Sequence, residues 1–318
     1  MDLVTTDITL AAQTLRNGGV VAIPTETVYG LGALATDDVA VARIFEIKGR
    51  PSDHPLIVHL SSRTQLADWS ADVPEWAHTL ADTYWPGPLT LVVPRSPLAS
   101  DVVTGGLPTV GLRVPSHPIA QALLAVVGEG IAAPSANRYG HVSPTTSSHV
   151  VAELGPYLAP TDRILDGGAS QVGVESTIVD CTGDLPHVLR PGAVTVEQIE
   201  STTGLEVVTG GTTRAPGTLP AHYAPQALVL VVDAPDLATA PRGNGLIAPA
   251  HIPTPDGLIR LAAPADTAAY ARELYAALRR ADDLTLTGVV VVPPGADGIG
   301  LAIRDRLRRA AYGSAQGR

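Results

Sequence analysis

Through most of the first two hundred residues, short apolar runs alternate with segments of helical period, and this alternation restricts the chain more than any other feature. Apolar runs at 20–25, 56–60, 89–93, 110–114, 131–133, Thr177–Asp180 and 188–190 are too short for buried helices and are bounded by Gly, Pro or polar clusters. Between them, residues 8–17, 37–47, Glu75–Tyr84, 119–127 and 148–154 carry apolar side chains at helical spacing. Gly18-Gly19 stops the first of these, and Asp37 with Asp38 suits the N-terminus of the second. Strands alternating with helices predict an α/β domain.

The pattern breaks between Gly210 and Pro225, where three prolines and repeated glycine predict an irregular, semi-stiff connector. Beyond it, strand-like runs at 228–232, 245–248 and 289–292 and helical segments at 268–280 and 299–310 predict a smaller α/β domain. The expected organisation is a catalytic-sized domain over 1–208, a linker over 209–226 and a small α/β domain over 227–318.

Several function classes are disfavoured. No run approaches the ~18 apolar residues needed to cross a bilayer, and Met1-Asp2-Leu3-Val4 has no basic region leading into an apolar block, so a cytoplasmic location without membrane contact is expected. The net charge of −10 weighs against a surface built to grip nucleic acid, including direct tRNA binding. Cys181 is the one cysteine, and the nine histidines show no HExxH spacing, so no side-chain metal site is expected. One compositional fact is sharper: of the 21 Lys and Arg residues, Lys48 is the only lysine. A lysine that persists in so arginine-biased a chain points to a place that needs a compact ammonium.

Lys48 opens the segment Lys48-Gly49-Arg50-Pro51. Gly49 favours helix termination and Pro51 pushes Arg50 toward extended backbone, so Lys48 and Arg50 can share one face of an extended stretch and bind a polyphosphate. The other reading is that they complement the dipole at a helix C-terminus. Thr25-Glu26-Thr27-Val28-Tyr29-Gly30-Leu31-Gly32 follows a buried strand, where ligand crevices of α/β folds lie, or is an ordinary turn. It is neither a dinucleotide fingerprint nor a Walker loop. Pro134-Ser135-Ala136-Asn137, with Ser143 shortly after, offers short hydroxyl and amide groups to a phosphate, or forms an Asx or ST turn. Arg113, set in the apolar run 110–114, needs a partner, either a structural carboxylate or a ligand's.

Together these pieces resemble a family. Thr25-Glu26-Thr27-Val28-Tyr29-Gly30-Leu31, Lys48-x-Arg50-Pro51, Pro55-Leu56-Ile57-Val58-His59, Trp85-Pro86-Gly87-Pro88-Leu89-Thr90 and Pro134-Ser135-Ala136-Asn137 resemble, in order and spacing, the YrdC-like threonylcarbamoyl-AMP synthases. Arg190-Pro191-Gly192, His222-Tyr223-Ala224-Pro225 and Gly300-x-Ala302-Ile303-x-Asp305-Arg306-Leu307 resemble the two-domain branch of that family. The resemblance implies a twisted open-sheet domain with a basic concave site, a second domain, and a linker that passes over the site. It implies L-threonine bound by Thr27, His59, Arg113 and Ser176, with the backbone of Ala133 against it. It implies ATP, carrying Mg2+, among Arg50, His54, Thr109, Ser135, Ser143, Arg190 and Tyr223, and a catalytic set of Lys48, Arg50, Ser135 and Asn137.

The implied reaction joins the carbamate of L-threonine, formed with bicarbonate or CO2, to the AMP part of ATP with release of pyrophosphate. A downstream tRNA threonylcarbamoyl transferase would take the product. Two alternatives stand beside it: a carbamoyltransferase adenylating another carbamoyl donor, and a non-catalytic RNA-binding module. The chain departs from the family in its linker, which usually reads Ser-Pro-Gly-Met-Lys-Tyr-Lys-His-Tyr-Ala-Pro. Here it reads Ala215-Pro216-Gly217-Thr218-Leu219-Pro220-Ala221-His222-Tyr223-Ala224-Pro225, with neither lysine kept. This linker is therefore expected to gate access as a lid more than to bind charge.

Overall fold

A computed structural model describes residues 2–210, 214–217 and 221–316. Gly211, Thr212, Thr213, Thr218, Leu219 and Pro220 of the expected linker lie outside the described residues. The chain divides into two compact units: residues 1–139, 144–170 and 175–218 form one, and 140–143, 171–174 and 219–318 form the other. The short stretches 140–143 and 171–174 are gathered into the second unit although no local sequence signal marks them.

The strands of the first unit are β1 (Val4–Thr5), β2 (Val21–Ile23), β3 (Gly30–Leu34), β4 (Ile57–His59), β5 (Leu89–Pro94), β6 (Thr109–Arg113), β7 (Ile131–Ala132), β8 (Arg163–Leu165), β9 (Thr177–Asp180), β10 (His187–Arg190) and β11 (Val208–Thr209). Among the described residues they form one mixed sheet in the order β1–β8–β2–β3–β7–β4–β6–β5–β9–β10–β11. Side chains alternate between two apolar layers, as a pleated strand requires. In β2, Val21 and Ile23 join Ala11, Ala12 and Leu15 of the helix Ile8–Arg16 and Leu123, Leu124 and Val127 of the helix Pro118–Val127. Ala22 faces the other layer, with Ala40, Val41, Ile44 and Phe45 of the helix Asp38–Lys48.

Strand β3 was not expected, because Gly30 and Gly32 weaken strand propensity. The sheet needs them for close approach. A Cβ on Gly32 would stand 2.7 Å from the Ile131 side chain, and one on Gly30 would stand 3.2 Å from the Ala133 Cβ. β1, β8 and β11 also escaped the sequence reading, being two or three residues long and without a sustained pattern.

In the second unit β12 (Leu228–Val231), β13 (Gly245–Ile247), β14 (Ile259–Ala262) and β15 (Gly288–Val291) form a parallel sheet in the order β12–β15–β13–β14. The helices Thr267–Asp283 and Gly300–Gln316 belong to this unit. Of the connections, β14 to β15 runs through the helix Thr267–Asp283, the usual crossover between parallel strands. β14 lacks a strand pattern in the sequence, because Ile259 is exposed and Arg260 interrupts the apolar run.

Candidate active site

β4 and β6 run parallel, with His59 opposite Arg113 at their C-terminal ends, where α/β sheets commonly leave a ligand crevice. Arg113 is only 4% exposed, so its charge needs compensation. Nη2 donates to Glu26 Oε1 at 2.5 Å, Nη1 to Thr27 Oγ1 at 2.9 Å, and Nε to the Gly87 carbonyl at 3.2 Å. The partner left open by the sequence is therefore a structural carboxylate, that of Glu26. Its Oε2 accepts the Ser116 N–H at 3.1 Å. Burial pushes the Glu26 carboxyl upward, but the Arg113 charge and the hydrogen bonds outweigh it, and the group stays below its usual pKa.

Thr27 has a defined polarity. Thr25 Oγ1 donates to the Val28 carbonyl and accepts the Val28 N–H, so its contact with Thr27 at 2.8 Å takes the Thr27 proton. Thr27 thus donates to Thr25, accepts from Arg113, and has one lone pair left for a ligand N–H or O–H. His59 is fully enclosed, and burial, reinforced by the Arg113 charge, pulls its pKa down to about 3, so the ring is neutral at ordinary pH. Among the described residues its Nδ1 has no hydrogen-bond partner.

Ser176 precedes β9 and joins the same group through residues 87 and 88: the Gly87 carbonyl takes Arg113, and the Pro88 carbonyl takes the Thr177 N–H at 3.0 Å. Its hydroxyl meets Thr90 Oγ1 at 2.7 Å and the Arg190 Nη2 at 3.1 Å. Arg190 also donates through Nε and Nη2 to the Ser176 carbonyl and through Nη1 to the Pro216 carbonyl. Ala133 is held by its N–H on the Ile57 carbonyl at 2.9 Å, beside this group.

A second group forms around Lys48. Asp37 caps the helix Asp38–Lys48 at its start, and Gly49 ends it in the left-handed region at φ +62°. The extended stretch expected over Lys48-Gly49-Arg50 is absent, so the shared face argued from it is not how these cations meet. The helix runs through Lys48, whose fully buried Nζ donates to the main-chain carbonyls of Ser135 and Asn137, each at 2.5 Å. Burial first, and then the charge of Arg50, drives the Lys48 pKa well down, against the opposing charge of Glu153.

The loop these carbonyls belong to is pinned on both sides. Leu31 N–H donates to the Pro134 carbonyl, Ala136 N–H to the Tyr29 carbonyl, and Tyr139 N–H to the Lys48 carbonyl, each at 2.8 Å. Arg138 donates to the Ile47 carbonyl at 2.7 Å, and its guanidinium lies 4.4 Å from the Tyr157 ring centroid. Arg50 donates to the Pro55 carbonyl at 3.0 Å, with the Tyr139 ring centroid 6.0 Å from its Cζ. Tyr139 Oη meets His54 Nδ1 at 3.3 Å. Asp53 beside it pairs with Arg214 at 3.0 Å. Burial, and then the charge of Arg50, lowers the His54 pKa.

The structure thus brings Thr27, His59, Arg113, Ala133 and Ser176 together, and Lys48, Arg50, His54, Ser135 and Asn137 together. Thr109 lies at the opposite end of β6 from Arg113, on the register that sets Ile57 against Gly111. Ser143 and Tyr223 belong to the second unit. There Tyr223, at φ +60°, stacks on Tyr275 at 5.7 Å between centroids and lies 5.3 Å from the Arg306 guanidinium. Glu26, Thr90, Arg138 and Tyr139 belong to these groups as well, beyond the residues that the motifs mark. For Glu26 a signal existed: a carboxylate between two threonines at the end of a buried strand, in a chain with an unpaired apolar-strand arginine. Among the described residues no group of three or more His, Cys, Asp or Glu side chains could hold a metal ion, and no helix is long and apolar enough to cross a membrane.

Residues 13–192 match the Sua5–YciO–YrdC family, described as telomere recombination, and residues 194–312 match the C-terminal domain of threonylcarbamoyl-AMP synthase. The threonylcarbamoyl-AMP synthase of Pyrococcus abyssi is 43% identical, the match covering 96% of this chain and 94% of that one. That of Bacillus subtilis is 41% identical, covering 96% and 93%. Among solved structures, Pyrococcus abyssi Sua5 complexed with L-threonine superposes with a TM-score of 0.87 at 40% identity, covering 96% of this chain and 94% of that chain.

Proposed function

We propose, from the premise that this chain belongs to the Sua5–YciO–YrdC family and its two-domain threonylcarbamoyl-AMP synthases, that it makes L-threonylcarbamoyl-AMP and pyrophosphate from L-threonine, bicarbonate or CO2, and ATP. The observation that carries this reading is the buried cluster of Thr27, His59, Arg113 and Ser176 in a chain similar over nearly its whole length to a Sua5 solved with L-threonine. Arg113 supplies a charged fork for the amino-acid carboxylate. Thr27 accepts from the amine or side-chain hydroxyl, since its own proton is already committed to Thr25. Neutral His59 offers a hydrogen bond without adding a charge that would repel the ammonium.

The chemistry needs no nucleophilic side chain. The threonine amine combines with bicarbonate or CO2 to give a carbamate, whose oxygen attacks the α-phosphate as the bond to the leaving pyrophosphate breaks. Two anions must be brought together, and charge developing on the phosphate must be met by fixed donors. Arg50 and the segment 134–137, held in shape by Lys48, form the part of the first unit suited to the triphosphate. His54 reaches Arg50 through Tyr139, and Arg190 borders Ser176. Ser143 and Tyr223 are assigned to the nucleotide by the family resemblance alone. Mg2+ carried by ATP would neutralise part of the triphosphate charge.

The product suits a tRNA threonylcarbamoyl transferase as the next enzyme, and the location is read as the cytoplasm. The test is pyrophosphate release by purified protein with ATP and Mg2+, omitting L-threonine or bicarbonate in turn. Release that requires both, with L-serine a much poorer substrate, is the expected result. Release independent of threonine would replace this reading with another acceptor.

A further inference from the structure

Glu26 is buried to 4% exposure and held at both carboxylate oxygens, one by Arg113 at 2.5 Å and the other by the Ser116 N–H at 3.1 Å. Ser116 stands just ahead of the helix Pro118–Val127, so the carboxylate ties the end of β6 to the start of that helix. Arg113 is fixed on three sides, by Glu26, Thr27 and Gly87. A guanidinium has five N–H donors, so this holding leaves two uncommitted.

An ion pair that served only to tie strand to helix would have no reason to sit among unspent hydrogen-bonding groups. Here the pair lies beside His59 Nδ1, which is buried and without a partner among the described residues, and beside the remaining lone pair of Thr27. Burying such groups unmatched is costly, and a polar ligand removes the cost. We infer that Glu26 is a positioning residue for amino-acid recognition: it clamps the side of the Arg113 fork so that the uncommitted N–H groups are presented to the carboxylate of the substrate. This rests on the reading of the site as the L-threonine pocket.

The clamp has an electrostatic corollary that makes it testable by sign. With Glu26 ionised the pair is neutral before substrate arrives, so selectivity comes from the direction of the donors rather than from excess positive charge. If charge alone governed binding, removing the Glu26 charge would strengthen the hold on a carboxylate. If orientation governs, removal weakens it.

The experiment is steady-state pyrophosphate release by the full chain carrying Glu26→Gln, with Glu26→Asp beside it and melting temperature recorded for each. The expected result for Glu26→Gln is a KM for L-threonine raised about tenfold or more, equivalent to a factor of 1.4 kcal/mol per decade, with the KM for ATP within about twofold of wild type. Preference for L-threonine over L-threonine amide should fall in parallel, because the amide lacks the carboxylate the fork is aimed at. Glu26→Asp, which keeps the charge but shortens the reach, should shift the same KM by less, and it serves as the test if Glu26→Gln does not fold. An unchanged or lowered KM for L-threonine would overturn the inference, as would an equal rise in both KM values with unaltered amide discrimination. Absence of threonine-dependent release from the wild-type protein would instead overturn the underlying reading of the site.

Discussion

Two buried cations in the first unit are held in opposite ways. Arg113 faces a carboxylate, so its pair is neutral and its donors have fixed directions. Lys48 faces the carbonyls of Ser135 and Asn137, dipoles that accept its protons without cancelling its charge. The arginine solution orients a fork for a planar carboxylate. The lysine solution shapes the loop 134–137 by holding two of its carbonyls. The one lysine of the chain stands where a compact ammonium reaches two main-chain carbonyls.

The largest expected effect tests whether Lys48 is needed for shape or only for charge. Lys48→Arg keeps the charge, but a planar guanidinium has no room in a slot already closed around the ammonium. Turnover in the pyrophosphate assay should fall by about a hundredfold or more, the order that a 1 Å misplacement of reacting groups produces. Wild-type turnover in that variant would break the contrast, because the two carbonyls would then tolerate either cation.

The carboxylate side is tested by stability. Arg113→Met leaves Glu26 charged and buried, and should cost about 3–5 kcal/mol in urea unfolding at neutral pH. Arg113→Met combined with Glu26→Leu removes both charges and should recover most of that loss, though not activity. If the double variant were as unstable as the single one, the Ser116 and Thr27 contacts, rather than the ion pair, would hold this region.

A smaller effect concerns pH. The folded pKa of His59, about 3, lies below its unfolded value, so between those limits the unfolded chain binds more protons. The stability contributed by neutral His59 is complete above the unfolded value near 6.5 and is lost as pH falls toward 3. Glu26, also held below its unfolded value, adds a loss in the same direction at lower pH. His59→Gln should flatten the fall in melting temperature between pH 6.5 and 4. A slope unchanged by this substitution would assign the acid sensitivity to other groups.

Much of this architecture was legible in the sequence because it rests on local periodicity. The runs at 20–25 and 110–114 and the helix stop at Gly49 follow from pattern and propensity, and β2, β6 and the left-handed cap appear where expected. β3 was not legible, because its two glycines are selected by contacts with Ile131 and Ala133, residues distant in sequence. The candidate site divides in the same way. Arg113 was conspicuous as a charge in an apolar strand, but its partner Glu26 lies 87 positions away. Lys48 was conspicuous by composition, while its actual acceptors are backbone atoms, which no side-chain pattern reveals.

The smallest effect concerns a second ion pair. Arg214 and Asp53 meet at 3.0 Å with side chains 52% and 61% exposed, so water and salt screen both groups. Exposed pairs contribute about 1 kcal/mol or less, and Arg214→Ala should leave the melting temperature nearly unchanged. The location makes turnover the sharper measurement, since Asp53 precedes His54, and His54 meets Tyr139 beside Arg50. If the pair is only a surface contact, turnover and the KM for ATP remain at wild-type values at low and high salt alike. If Arg214→Ala raises the KM for ATP several-fold with no loss of stability, and wild-type protein at high salt does the same, the segment 214–217 belongs to the nucleotide side of the site. The cation set there would then include one held by a screened carboxylate, beside the buried one held by carbonyls.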